Sequence, residues 1–349
     1  MINPARQTFH KTAQKAATDA DQAEVVAVRN GLARVGDGLT DERLAGVPMA
    51  EESEIPHNPE GNEEWLDYDA IAEVATGGVA DELLRRAHLL DAHYPFDLDP
   101  NGCVLTYAPG KSVSKAYEFC LALCETQNNL TAHPWCRAVR EFERLVGRAL
   151  SGHFGVGTEW YRLGVQSEPE DHRPGKLSDA IRELGKRTRG EWEFTPRTGA
   201  DAQAEQGDGG IDVVVWKSFG AKDERIGMPF VLAQCGCGEE GLREEKWGSL
   251  QVRKFQDRFT VLISSAGVLR CFAFPHQLPH RAKWREAVSA GGIVLDRIRL
   301  TWMAETYLNG LEEQVRLQPH IDNLNTPPVR HKKKSATPPA KPAAKTRRP

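Results

Sequence analysis

"DGGIDVVVWKSF", residues 208–219, and "MPFVLAQCGCG", residues 228–238, decide how this chain folds. Each carries a short run of β-branched or aromatic residues bounded by Gly or Pro, the pattern of a strand. Strand alternation places Asp212, Val214 and Trp216 on one face of the first run, and Ile211, Val213 and Val215 on the other. Both faces are apolar, so the strand is expected to be covered on both sides. A carboxylate at the mouth of such a strand is costly unless it is paired, hydrogen-bonded or bound to a cation. Asp208 precedes Asp212 across two glycines, which let the backbone turn tightly. In the second run Phe230, Leu232 and Gln234 share a face, which puts Gln234 within reach of an acid on its neighbour. A carboxylate and an amide oxygen are hard ligands that suit Mg²⁺ better than Zn²⁺.

Upstream, residues 136–154, "CRAVREFERLVGRALSGHF", follow a helical period. Val139, Phe142, Leu145, Val146, Ala149, Leu150 and Phe154 fall on one arc, and Arg137, Arg140, Glu141, Arg144 and Arg148 lie opposite. At about 100° per residue Glu143 points between Leu150 and Phe154, at the edge of the apolar arc. It either reaches solvent at the helix margin or faces something that needs negative charge. "KLSDAIRELGKR" is a second amphipathic helix, with Leu177, Ala180, Ile181 and Leu184 on one side. "FTVLIS", "LRCFAF" and "GIVLD" complete a set of short strands, and the later part of "EEGLREEKWGSLQVRKFQDR" reads as helix. The expected core is an α/β sandwich, with helices packed on a mixed sheet.

The chain's 349 residues are enough for two domains, or for one core with a helical extension. Hydrophobic content of 40% and charged content of 27% are those of a globular protein. No apolar run reaches the roughly 20 residues of a membrane span, and the N-terminus has no signal-peptide core. Seven cysteines without a disulfide-like framework fit a reducing compartment, so a cytoplasmic location is expected. Residues 1–130 are expected to form a mainly helical region with an acidic loop at 51–69, where eight acids stand without a Lys or Arg. Residues 319–349 are expected to form a disordered basic tail. Its stretch 326–349 carries eight Lys or Arg and no acid, leaving the remainder of the chain at −12. Such a tail raises affinity for nucleic acid without sequence specificity, or simply solubilises.

A helix with Glu, then a strand with Gly-x-Asp, then a strand ending in Gln, resembles the PD-(D/E)XK, or restriction-endonuclease-like, nuclease superfamily. The resemblance covers roughly residues 136–300, and the expected nuclease domain is 131–318 with a restriction-endonuclease-like mixed sheet between helices. It implies that Asp212 and Gln234 hold a divalent metal, Mg²⁺ or alternatively Mn²⁺, with Glu143 and Asp208 as supporting acids. The motif's lysine, two residues after Gln234, is replaced by Gly236. "QC…G…W" near a lysine looks like a bacterial subgroup in which that lysine has migrated to the next helix. Lys246, beside Trp247, is the stand-in, with Lys254 as the alternative. The implied catalytic set is Asp212, Gln234, Lys246 and Glu143, and the implied activity is metal-assisted hydrolysis of DNA phosphodiesters in a restriction or anti-phage defence system. RNA is not excluded as substrate, and partner proteins of such a system, or further copies of the chain, are allowed partners.

The alternative is a nuclease-fold protein without activity, acting as a nucleic-acid-binding or assembly module, which the missing lysine favours. Other signals carry less. The spacing of the cysteines is not that of a zinc site. "APGKSVSK" lacks the first glycine of a P-loop and reads as a plain loop. His276, His280, Arg281 and Lys283 follow a strand and would either contact phosphate or form a polar loop. Arg299 is expected either to pair with Asp296 as a structural salt bridge, the favoured reading, or to reach DNA.

Overall fold

The computed structural model describes residues 4–36, 63–126, 132–164, 177–188, 210–220, 222, 227–237, 247, 252, 268–279 and 281–325. In chain order the elements are α1 (Pro4–Asn30), β1 (Leu32–Arg34), α2 (Glu63–Leu90), β2 (Phe96–Leu98), β3 (Val104–Tyr107), α3 (Ala116–Thr126), α4 (Ala132–Phe154) and β4 (Thr158–Arg162). There follow α5 (Leu177–Arg187), β5 (Val213–Lys217), β6 (Phe230–Cys235), β7 (Val268–Ala273), α6 (Arg281–Gly291), β8 (Ile293–Leu295), α7 (Arg297–Tyr307) and α8 (Gly310–Asn325). The chain is therefore mixed α/β, as expected. No helix among the described residues is long and apolar enough to cross a membrane.

A five-stranded sheet in the order β4-β5-β6-β7-β8 carries the core. β4, β5 and β6 pair antiparallel, whereas β6, β7 and β8 pair parallel. Side-chain alternation divides the core into two layers. Val213, Val215, Val231, Ala233, Cys235, Cys271 and Ala273 pack with Phe142, Leu145, Val146, Ala149 and Leu150 of α4. On the other face Val214, Trp216, Phe230 and Leu232 pack with Leu177, Ala180, Ile181 and Leu184 of α5. Further along that face, Phe272, Phe274 and Val294 pack with Ala287 of α6. The helical period and the strand period read from the sequence thus meet in one sandwich.

Several expectations are corrected. α4 opens at Ala132 rather than at Cys136. Its charged arc is not a solvent face: Arg140, Glu141 and Arg144 are buried, and Arg148 bridges Glu141 at 2.8 Å and Glu313 of α8 at 2.7 Å. α8 meets that arc through Glu313, packs on α3, and continues through Pro319 to Asn325, past the point where the tail was expected, because Leu317 and Ile321 are buried against the core. α2 begins at Glu63, inside the expected acidic loop 51–69. β4 was not anticipated; it follows α4 through a turn in which Gly155 and Gly157 take positive φ of 81° and 83°, a region that favours glycine. "FTVLIS" lies outside the described residues. Of the stretch before it only Trp247 and Val252 are described, and both are helical.

The N-terminal region contains a small antiparallel sheet, β1-β3-β2, beside α1, α2 and α3. It is tied to the large sheet's side of the molecule by buried charge. Arg86 of α2 and Arg297 of α7 have no exposed side-chain surface. Between them stand two acids of α1. Asp21 contacts Arg86 at 2.7 Å and Arg297 at 2.8 Å and 2.9 Å, and Glu24 contacts Arg86 at 2.8 Å. Glu24 also accepts the hydroxyls of Tyr94 and Tyr117 at 2.6 Å and 2.7 Å. Burying such groups is tolerable only because each charge is paired and hydrogen-bonded. Burial alone would raise the Asp21 carboxyl; Arg297 and then Arg86 overcome it and hold Asp21 below the ordinary carboxylate range.

A depressed carboxyl stabilises the fold above its unfolded pKa and loses that contribution as pH falls through the folded value. Asp21→Asn is expected to lower stability at pH 7 by roughly 3 kcal/mol in urea unfolding. The gap between the two proteins should narrow below about pH 5, as wild type loses the same contribution. Parallel stability curves from acid to neutral pH would rule out this role for Asp21.

Candidate functional site

β5 starts at Val213, and the residue before it is fastened on all sides. The Asp212 N–H donates to the Ala233 carbonyl at 3.0 Å, and its own carbonyl accepts from Leu163 N–H at 2.7 Å and Gly164 N–H at 3.1 Å. Its carboxylate accepts the Cys235 N–H at 2.6 Å. The side chain is thus turned toward the end of β6. The alternation expected for this segment fails one residue earlier: Ile211 packs with Val214 and Trp216, not with Val213 and Val215. The reason is that residues 210–212 precede the ladder, with Gly210 at a φ of 79°.

Glu143 projects from α4 toward the same strand ends. It is not at a solvent margin: Arg162, at the end of β4, donates its Nε to a Glu143 carboxylate oxygen at 2.5 Å. That answers what the negative charge on the apolar arc faces. Gly164 lies so close that a Cβ there would overlap the Glu143 carboxylate. Both acids act on one sulfur. Burial pushes the Cys235 thiol well up, and the nearby charges of Asp212 and then Glu143 push it further. Gly164 lies against the Glu143 carboxylate and bonds through its N–H to the Asp212 carbonyl, so Glu143, Arg162 and Asp212 meet at the ends of β4 and β5.

Gln234 stands at the same strand end but on the other face of the sheet. It shares its face with Leu232 and Phe230, whereas Cys235 faces α4. Its amide nitrogen stands 3.9 Å from where a Cβ on Gly210 would be. Glu143, Asp212 and Gln234 are 6%, 7% and 5% exposed, so all three are buried. Asp208, Lys246 and Lys254 lie outside the described residues.

Gly236, two residues after Gln234, stands where a side chain has no room. A Cβ on Gly236 would stand 2.7 Å from Cζ of Phe272, the β7 residue paired with Gln234. The phenylalanine ring occupies the space in which a side chain at 236 would begin. Trp247 packs edge-on against that ring, with centroids 6.2 Å apart, and is itself buried. Trp247, the sequence neighbour of Lys246, is thereby anchored on the ring that lies over Gly236.

Other residues singled out from sequence have structural partners. Asp296 caps α7 by accepting the Arg299 backbone N–H at 3.0 Å, while the Arg299 guanidinium donates to the Val294 carbonyl at 2.7 Å and lies 4.4 Å over the Trp284 ring. The expected Asp296–Arg299 side-chain pair is therefore replaced by a helix cap. His276 approaches Cys124 at 3.2 Å, and its carbonyl accepts the Arg297 N–H. Residues 108–115 form a loop, and Cys120, Cys235, Cys237 and Cys271 are buried free thiols. Arg162 was missed. The signal was present in "TEWYR", where Trp160 and Arg162 share one side of a short alternating run.

No protein-family model, curated protein or solved structure matches the chain. Among the described residues no group of three or more His, Cys, Asp and Glu side chains converges as a metal cluster. The donors at the strand ends are two carboxylates and an amide, an oxygen set whose chemistry fits a hard divalent cation.

Gly236→Lys, which restores the motif residue in sequence, is expected to destabilise the protein by about 1–3 kcal/mol through overpacking against Phe272. Phe272→Ala is itself costly, but Gly236→Lys combined with it should lose less than the sum of the two single losses, because the shortened side chain at 272 no longer meets the one at 236. Thermal melts of the single and double variants compare them directly, and a Gly236→Lys variant as stable as wild type would refute the overlap.

Proposed function

We propose that the chain is a Mg²⁺-dependent nuclease of restriction-endonuclease-like fold that hydrolyses DNA phosphodiester bonds, in a bacterial restriction or anti-phage setting. The observation that carries this reading is the approach of Asp212 and Glu143 to each other across Gly164, at one end of the β5–β6 pair, on a mixed sheet covered by helices on both faces. The order of elements supports it: the helix bearing Glu143 comes first, then the strand headed by Asp212, then the strand ending in Gln234. Asp212 and Gln234 would hold the cation, with Glu143 reaching in from α4. When bound, the cation would act as a Lewis acid on the phosphate and on attacking water.

The chain's own residues orient that chemistry. The Cys235 N–H sets the direction of the Asp212 carboxylate, and the Arg162 guanidinium sets that of Glu143. In the hydrolysis a water oxygen bonds to phosphorus, the bond from phosphorus to the leaving sugar oxygen breaks, and that oxygen ends protonated. Because these side chains are buried, phosphate contact requires the strand mouth to open.

A second reading, a nuclease fold that binds nucleic acid without cutting it, is favoured by one observation: Phe272 fills the lysine position. Plasmid cleavage separates the two. Wild type with Mg²⁺ is expected to cut, and Asp212→Ala to lose at least about a hundredfold in rate. Salt-sensitive DNA binding with no cleavage by wild type in Mg²⁺ or Mn²⁺ would favour the second reading. An RNA substrate in the same assay tests the choice of sugar.

A further inference from the structure

A phosphodiester site of this kind needs positive charge near the phosphate, and the position where the motif would supply it is closed by Phe272. Arg162 brings such a charge to the strand ends. Its side chain is buried with its Nε 2.5 Å from Glu143, and the next two residues bond through their N–H groups to the Asp212 carbonyl. In the β4–β5 register Arg162 stands opposite Val213, the residue after Asp212. The end of β4 is also shaped to this arrangement, since Gly164 leaves room for the Glu143 carboxylate that a side chain would take. A fixed guanidinium suits phosphate oxygens, because its planar fork presents several donors in one geometry.

We infer that Arg162 is the cationic group of this centre: it holds Glu143 while no cation is bound, and it serves the phosphate once a divalent cation takes Glu143. The inference rests on the nuclease reading and adds to it a residue outside the motif. It makes two effects of removing the guanidinium run in opposite directions. Arg162 and a divalent cation compete for one carboxylate, so Arg162→Gln should bind Mn²⁺ about tenfold more tightly. Cleavage by the same variant should fall by about a hundredfold, the cost of losing one preorganised charge-stabilising group. A residue with a purely structural role would instead lower metal affinity, cleavage and melting temperature together.

The test measures Mn²⁺ binding by calorimetry, and plasmid cleavage and thermal melts, on full-length wild type, Arg162→Gln, Glu143→Gln and the double variant. The double variant leaves no unpaired carboxylate and stays informative if Arg162→Gln alone does not fold. In the Glu143→Gln background, removing the guanidinium is expected to cost a further tenfold or more in cleavage, because its role at the phosphate remains. No further loss there, or Mn²⁺ affinity that falls in Arg162→Gln, overturns the inference. If wild type cuts, Asp212→Ala does not, and Arg162→Gln cuts at the wild-type rate, the inference alone fails. If wild type does not cut, the nuclease reading fails with it.

Discussion

One residue fastens three strands. Asp212 bonds through its N–H to β6, through its carbonyl to the end of β4, and through its carboxylate to the backbone just past Gln234. Shifting any of the three strands by one residue would break at least one of these bonds and turn an apolar face outward. The segment that places the acid is therefore the segment that sets the register. A carboxylate in this position is satisfied by backbone before any ligand arrives, which is how a buried acid persists at the end of two apolar strands.

The second constraint is the pairing of buried charge. Glu143 with Arg162 joins α4 to β4, and Asp21 and Glu24 with Arg86 and Arg297 join α1, α2 and α7. Replacing such pairs by apolar groups is often neutral, whereas removing one partner is costly. They therefore act as couplings: neither side of a pair can change alone. The N-terminal helices are bound in this way to the start of α7, directly after β8 of the large sheet.

Much of the core was legible in the sequence because it depends on local periodicity. The apolar arc of α4, the face of α5 and the alternation of β5 and β6 all follow from spacing of three to four or two residues. The edge position of Glu143 was legible for the same reason, although its partner was not. Arg162 lies in a strand only five residues long, with no turn signature beyond two glycines, and its pairing with Glu143 depends on how β4 packs under α4. The assignment of Ile211 failed because alternation holds only inside a ladder and cannot say where the ladder begins. The Asp21–Arg297 pair spans most of the chain, and no spacing rule reaches that far. The placing of Asp212 near Glu143 was legible only through the order of elements, and Gln234 reached the same end from the opposite face.

Gly236 and Phe272 also constrain how this protein can change over time. Enlarging residue 236 meets the ring, and shrinking residue 272 opens a void beside Trp247. Each step is unfavourable until the other has been taken. The two positions are coupled in mutational space: with the ring lying over a bare backbone, a side chain at 236 is costly until residue 272 also changes. A change at either position is therefore tolerated best when the other changes with it.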